Sequence, residues 1–330
     1  MFDIVTFGSA TRDLFLKSRD FKTKKDKKFT TGECLCFNLG SKIYLDDLFF
    51  ATGGGGTNAA ATFAYQGFKT AYVGKVGKDT GGRAIKEELE ALGIKGFVSE
   101  DKKRKTAYSI ILSVSKKERT ILIYQGACHY LQTRNIPFKS LPAKWFYIAG
   151  LSGQSAKTLL PIINFAKKNK IKIALNPGAA QLALGLRGLK RVLDSVDILL
   201  LNQEEGAKLA NLPFAKEKEI FKKLDRFVKG IVIMTKGRQG VVVSDGNYVY
   251  RAGTFKEKIY IDRTGAGDAF GSGFVSGLMR TGKIEEGIRL GTANGTGVVE
   301  ELGAKNGLLT KSRFEKELRW KNLKIVKNRL

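Results

Sequence analysis

The sequence predicts an α/β fold: a mostly parallel central sheet with helices on both faces, plus a small β lid. Three observations carry that prediction. Short apolar runs alternate with amphipathic stretches along most of the chain; two segments break the alternation with helix-free strand pairs; and glycine-rich turns stand directly before helices at two places. Regular alternation of strand and helix gives parallel sheets covered on both sides, with ligands bound at the carboxyl ends of the strands.

The runs Ile4–Phe7, Thr70–Val73, Trp145–Ile148, Ile171–Leu175, Ile198–Leu201, Ile231–Met234 and Val241–Val243 predict buried strands. Continuous apolar residues suit strands covered on both faces. Between them, Thr57–Gln66, Gly81–Leu92, Ala156–Lys168, Leu186–Leu193, Glu204–Leu209 and Lys216–Val228 read as helices, followed by two long ones after Asp268 and near Ile284–Val299. Residues 33–50 and 106–125 predict strand pairs turning at Gly40-Ser41 and at Ser115-Lys116-Lys117. A small sheet of that kind would cover a pocket. The chain then divides into a core of residues 1–13, 51–105 and 126–330 and a lid of 14–50 and 106–125. The Lys-rich stretch 18–32 reads as a solvated insertion or a mobile loop.

Composition narrows the function classes. Of 330 residues, 43% are hydrophobic, enough for a sizeable core. No apolar run reaches the roughly 18 residues a membrane helix needs, and the start of the chain lacks a signal-peptide pattern, so a cytoplasmic protein without membrane contact is expected. Cys34, Cys36 and Cys128 form no metal or disulfide framework; Cys34 and Cys36 share a face and read as structural thiols. One histidine, His129, argues against a Ser-His-Asp hydrolase or a multi-His metal enzyme. The net charge of +27 permits non-specific nucleic-acid binding, yet the lysines are spread along the chain rather than gathered with aromatics. No specific nucleic-acid partner is expected.

The richest run is Asp262-Arg263-Thr264-Gly265-Ala266-Gly267-Asp268-Ala269-Phe270. Glycines ahead of an apolar helix expose backbone N–H groups at its positive end, an anion site. A carboxylate beside such a site suits a base next to a phosphoryl group. As a lone motif, the same residues equally describe a turn with an aspartate cap. No Gly-x-x-x-x-Gly-Lys-Ser/Thr loop is present, so phosphate is not held by that device. Asp13, just past the first strand, is placed to accept hydrogen bonds from a polyol.

A second glycine-rich element, Gly53-Gly54-Gly55-Gly56-Thr57-Asn58, leads into Ala59-Ala60-Ala61, Gly67 and Gly74-Lys75-Val76-Gly77. With both elements in place, the chain resembles the ribokinase-like (PfkB-type) carbohydrate kinase family over nearly its whole length. Arg263 departs from that pattern, standing where a small residue is usual.

The resemblance implies an ATP-dependent kinase acting on an alcohol group of a sugar, with a nucleoside as the alternative acceptor. From another class, a basic nucleic-acid-binding protein without catalysis is the competing reading. Under the kinase reading Asp268 is the base, and the N–H groups of Gly265, Ala266 and Gly267 stabilise the transferring phosphoryl oxygens. Asp13, Gly54, Gly55 and Asn58 hold the acceptor, with Arg119 among the lid residues that select it. Asn176, Asn202, Glu205, Thr235, Gly237 and Asn294 are expected on the nucleotide side, Glu205 organising Mg²⁺ through water. Asp262 and Thr264 mark a K⁺ site, and a homodimer through the lid is a further expectation.

Overall fold

The computed structural model describes residues 1–29, 31–114 and 119–330. Sixteen strands occur among them. They are β1 (Phe2–Phe7), β2 (Thr11–Lys17), β3 (Lys22–Lys25), β4 (Glu33–Cys36), β5 (Asp47–Gly53), β6 (Thr70–Gly77), β7 (Lys95–Asp101) and β8 (Ala107–Ser113). The rest are β9 (Thr120–Tyr124), β10 (Ala143–Ile148), β11 (Lys172–Leu175), β12 (Ile198–Asn202), β13 (Ile231–Thr235), β14 (Val241–Ser244), β15 (Tyr248–Ala252) and β16 (Ile325–Arg329).

A ten-stranded sheet runs β16-β15-β14-β13-β12-β11-β10-β1-β6-β7. Its pairings are parallel from β7 to β13 and antiparallel from β13 to β16. Side chains alternate between two cores, as strand geometry requires. Val5, Phe7, Phe146 and Ile148 pack on one face, and Ile4, Trp145, Tyr147 and Leu200 on the other. Helices Gly55–Tyr65 and Ala266–Thr281 close the second face through Phe63, Phe270 and Phe274. All seven strands expected from apolar runs are present; β7, β15 and β16 are additional. The basic C-terminal run ends as the edge strand β16, where Lys327 lies over the rings of Tyr248 and Tyr250 at 4.2 and 5.0 Å.

A second sheet, β5-β2-β8-β9, stands apart from the first. The expected strand pairing is corrected beside it. Glu33–Cys36 does not pair across Gly40-Ser41 with the segment that follows; it pairs antiparallel with β3 in a separate two-stranded sheet. Phe21 and Phe37 close that hairpin edge to face, ring centres 5.7 Å apart. Residues 18–32 are therefore not merely a solvated insertion. β5 pairs instead with β2, in register Asp13↔Ala51, and Phe15 packs on Phe49. The β8–β9 pair forms as expected, while its turn at Ser115-Lys116-Lys117 lies outside the described residues.

Candidate active site

Helix Ala266–Thr281 starts on a turn that only glycine allows. Gly265 has φ +80°, and a methyl group there would meet Ala304 Cβ at 2.5 Å. The first N–H groups of a helix have no acceptor one turn back. Ala266 N–H is taken by Arg263 O at 3.2 Å, while the N–H groups of Gly265, Gly267 and Asp268 have no backbone acceptor among the described residues. Of the three donors expected for the anion hole, the turn itself takes up that of Ala266.

Asp268 is half-buried at this helix start, and its Oδ2 accepts a hydrogen bond from Asn58 Nδ2 at 2.9 Å. A side chain at Gly55 would place its first carbon 3.3 Å from Asp268 Oδ1, so the N-terminus of helix Gly55–Tyr65 backs the same carboxylate. Burial raises the proton affinity of Asp268; the Asn58 bond opposes this, and the negative charge of Asp13 adds to it. Such a carboxylate can take a proton from a neighbouring hydroxyl. Asn58 Oδ1 is buried without a partner among the described residues.

Asp13 does not follow the end of β1. It lies inside β2, 3% exposed, where Thr11 Oγ1 donates to its Oδ1 at 2.8 Å. Burial raises its proton affinity too, against the hydroxyls of Thr11 and Ser109 and the charges of Lys305 and Arg12. Gly53 is required beside it, because a Cβ there would overlap Asp13 Oδ2. Lys305 is a participant the sequence reading missed. It is buried, donates to Thr52 Oγ1 at 2.7 Å and pairs with Glu88. Nothing in the local sequence flags it, since its partners are more than 200 residues away.

A cleft of about 1570 Å³ separates the second sheet from the strand ends of the first. Asn202, Thr235, Gly237, Asp262, Ala266 and Gly267 line it from the core, and Phe15, Phe49, Cys34 and Arg119 from the other side. Asp13, Asn58 and Asp268 are not among its lining residues. Arg119 reaches across to Asp262, Nη1 to Oδ1 3.1 Å.

The remaining predicted residues divide. Asn202 and Glu205 form a reciprocal cap on helix Gln203–Ala210: Asn202 Oδ1 accepts from Glu205 N–H, and Glu205 Oε2 from Asn202 N–H, both at 2.8 Å. Burial raises the proton affinity of Glu205. Asn176 spends its side chain on Leu200 O at 3.1 Å, tying β11 to β12. Asn294 is fully buried: Nδ2 donates to Ala269 O and Thr62 Oγ1, and Oδ1 accepts from Leu309 N–H. Its polar atoms are committed inside the protein, and Thr292, Gly295 and Thr296 of the same helix reach the cleft instead. Thr264 Oγ1 is buried and unpartnered near Asp262.

Residues 1–311 match the family model of pfkB family carbohydrate kinases. The ribokinase of Haemophilus influenzae is 30% identical over 275 residues, covering 79% of this chain and 85% of that protein. Among solved structures, the adenosine kinase of Sinorhizobium meliloti superposes with a TM-score of 0.78 at 21% identity, over 96% of this chain and 99% of that one. A Cryptococcus neoformans ribokinase, solved in complex with ADP, gives 0.74 at 22% identity, over 96% and 100%. These two likenesses establish a shared fold, and the family match extends over nearly the whole chain: it belongs to the pfkB family of carbohydrate kinases.

Proposed function

We propose that this kinase transfers the γ-phosphate of ATP to a hydroxyl of a sugar, with Asp268 as the base. The observation that carries the reading is one juxtaposition. A carboxylate of raised proton affinity stands at a helix start whose Gly267 and Asp268 N–H groups are free, and Asn58 orients it. Asp268 takes the acceptor's proton as its oxygen attacks phosphorus, while the free N–H groups stabilise charge on the transferring oxygens. Asp13 grips other hydroxyls of the acceptor, held in place by Thr11 and by the absence of a side chain at Gly53. On the nucleotide side, Asn202, Thr235 and Gly237 line the cleft.

Mg²⁺ belongs to this reading. Among the described residues no three His, Cys, Asp or Glu side chains lie together as a metal cage, which suits an ion held mainly by phosphates and water. Glu205, with one oxygen fixed by the helix cap, would order such a water; the ion supplies neutralisation of phosphate charge. The expected K⁺ site fits less well, because Asp262 already faces Arg119. Among the described residues no helix is long and apolar enough to cross a membrane. The outer strands of the second sheet expose Leu48, Phe50, Leu122 and Tyr124, an apolar surface suited to a second copy. Sedimentation of the full chain tests that dimer.

A nucleoside acceptor is the second reading, favoured by the paired rings of Phe15 and Phe49 on the cleft wall, where a base could stack. ADP release measured with ATP, Mg²⁺ and a panel of pentoses, hexoses and nucleosides separates the two. Turnover with a sugar supports the first reading, turnover confined to nucleosides the second. No acceptor-dependent ADP from any member would overturn both.

A further inference from the structure

Arg119 comes immediately before β9, on the edge of the second sheet, yet its partner belongs to the other sheet's loops. Its Nη1 lies 3.1 Å from Asp262 Oδ1, with the guanidinium 17% and the carboxylate 7% exposed. Asp262 leads into the glycine turn before Asp268 and is tied by its N–H to Val299 O at 3.3 Å. Around this ion pair, Asp262 Oδ2, Arg119 Nε and Thr264 Oγ1 are all buried and have no hydrogen-bond partner among the described residues.

Asp262 and Thr264 are also where the family likeness leads one to expect a monovalent cation. The side chains present fit that ion poorly. The carboxylate already touches the guanidinium of Arg119. An ion on its other oxygen would lie close to the guanidinium in a site from which water is largely excluded, where like charges repel strongly. The pair itself is open to completion in another way. An arginine pairs with a carboxylate best through two parallel N–H···O bonds, from Nη1 and Nη2 or from Nε and Nη2. Here Nη1 meets Oδ1, and the second acceptor, Oδ2, stands unused, ready for Nη2.

We propose that Arg119 supplies, from the second sheet, the positive charge that a monovalent cation is expected to supply at Asp262. A slight further approach of β9 would convert the single contact into the two-bond fork. The turn bearing Gly267 and Asp268 would then be fixed when the second sheet closes, without an ion from solution. Arg119 is a positioning residue: it acts on the turn, through Asp262. The inference rests on the kinase reading above.

The test compares the full-length protein in KCl and in choline chloride at equal ionic strength, by thermal unfolding and by ADP release. Wild-type protein should show the same Tm and the same turnover in both salts. Arg119→Ala should lose turnover in choline, on the order of 10²-fold as for a misplaced catalytic group. It should recover much of that in KCl, with a Tm rise specific to K⁺ because the freed carboxylate now binds the ion. Arg119→Lys, which keeps the charge and loses the fork, should stay indifferent to K⁺ at reduced turnover. A K⁺-specific Tm rise or stimulation in wild-type protein would overturn the proposal. So would an Arg119→Ala protein indifferent to K⁺, or one changed only in acceptor KM, which would make Arg119 a substrate contact. Should Arg119→Ala fail to fold, the wild-type and Arg119→Lys arms still decide. Absence of phosphate transfer altogether would sink the kinase reading, while the unfolding arms would still report on the ion.

Discussion

The two ends of the candidate site are made of different materials. At the proposed acceptor end, the carboxylates of buried Asp13 and half-buried Asp268 each have their proton affinity raised by burial. At the proposed nucleotide end, strand-end residues such as Asn202, Thr235 and Gly237 bring neutral side chains and backbone to an open cleft, one of whose carboxylates, Asp262, is met by Arg119. A triphosphate is best met by N–H groups and neutral polar atoms, because carboxylates there would repel it. A hydroxyl that must lose its proton needs the opposite, a base whose charge is not dispersed by water. Variants that damage one end and spare the other are the direct way to test this division.

The largest effect should come from Asp268→Asn. Its shape is nearly unchanged and Asn58 can still bond to it, but the base is gone. Turnover should fall roughly 10²–10⁴-fold, the usual worth of general base catalysis. Affinity for an ATP analogue, measured by calorimetry, should stay near wild type. Near-normal turnover would remove Asp268 from the chemistry, and equal loss of nucleotide affinity would blur the two ends into one.

Asp13→Ala comes next. Its partners in the proposed complex are acceptor hydroxyls, and loss of a charged hydrogen-bond partner costs on the order of 1.5–3 kcal/mol. Acceptor KM should rise accordingly while the KM for ATP holds. A matched rise in both would mean that β2 does not carry the acceptor pocket.

Glu205 tests the proposed nucleotide end, where a single side chain has an observed structural role, the helix cap, and a proposed functional one. Glutamine can keep the reciprocal helix cap, so Glu205→Gln should leave the Tm unchanged. If Glu205 also orders water on Mg²⁺, the Mg²⁺ concentration for half-maximal turnover should rise about 10–100-fold, as outer-shell substitutions do. An unchanged Mg²⁺ requirement would reduce Glu205 to a cap.

Legibility in the sequence followed the same division. The parallel strands announce themselves, since Ile198–Leu201 or Ile231–Met234 are apolar without interruption and can only be buried on both faces. The turn before Asp268 was legible because glycine spacing encodes backbone geometry. Of the second sheet only the β8–β9 pair was. Its other pairings join strands distant in sequence, and that of β2 with β5 depends on contacts such as Phe15 with Phe49 that no local pattern reveals. For the same reason Lys305, whose partners Thr52 and Glu88 come from other elements, left no signal. Asn294 shows the limit of a resemblance. The family likeness put it on the nucleotide side, yet three hydrogen bonds inside the protein occupy its side chain.

The smallest effect concerns stability and should oppose the effect on activity. Burial, with the charge of Asp13 nearby, makes native Asp268 hold its proton more tightly than the unfolded chain does, where the ordinary value is 3.8. Above its raised native value, wild-type protein keeps an ionised carboxylate in an unfavourable place, at a cost to stability. As pH falls through that value the native state takes up the proton before the unfolded state can, and this cost is relieved; below 3.8 both states are protonated and nothing more is gained. Asparagine never carries the charge. Asp268→Asn should therefore be slightly more stable than wild type at neutral pH, and the difference in Tm should shrink towards zero as the solution is acidified. Turnover of the wild type should decline over that same window, because the protonated carboxyl is no longer a base. Comparing the two proteins removes the contribution of carboxylates such as Asp101 and Asp79, which are held below their ordinary values and destabilise both proteins alike in acid. A Tm difference of the opposite sign, or one that does not change with pH, would show that Asp268 is not held as an ionised group against its surroundings, and the contrast between the two ends of the site would lose its physical basis.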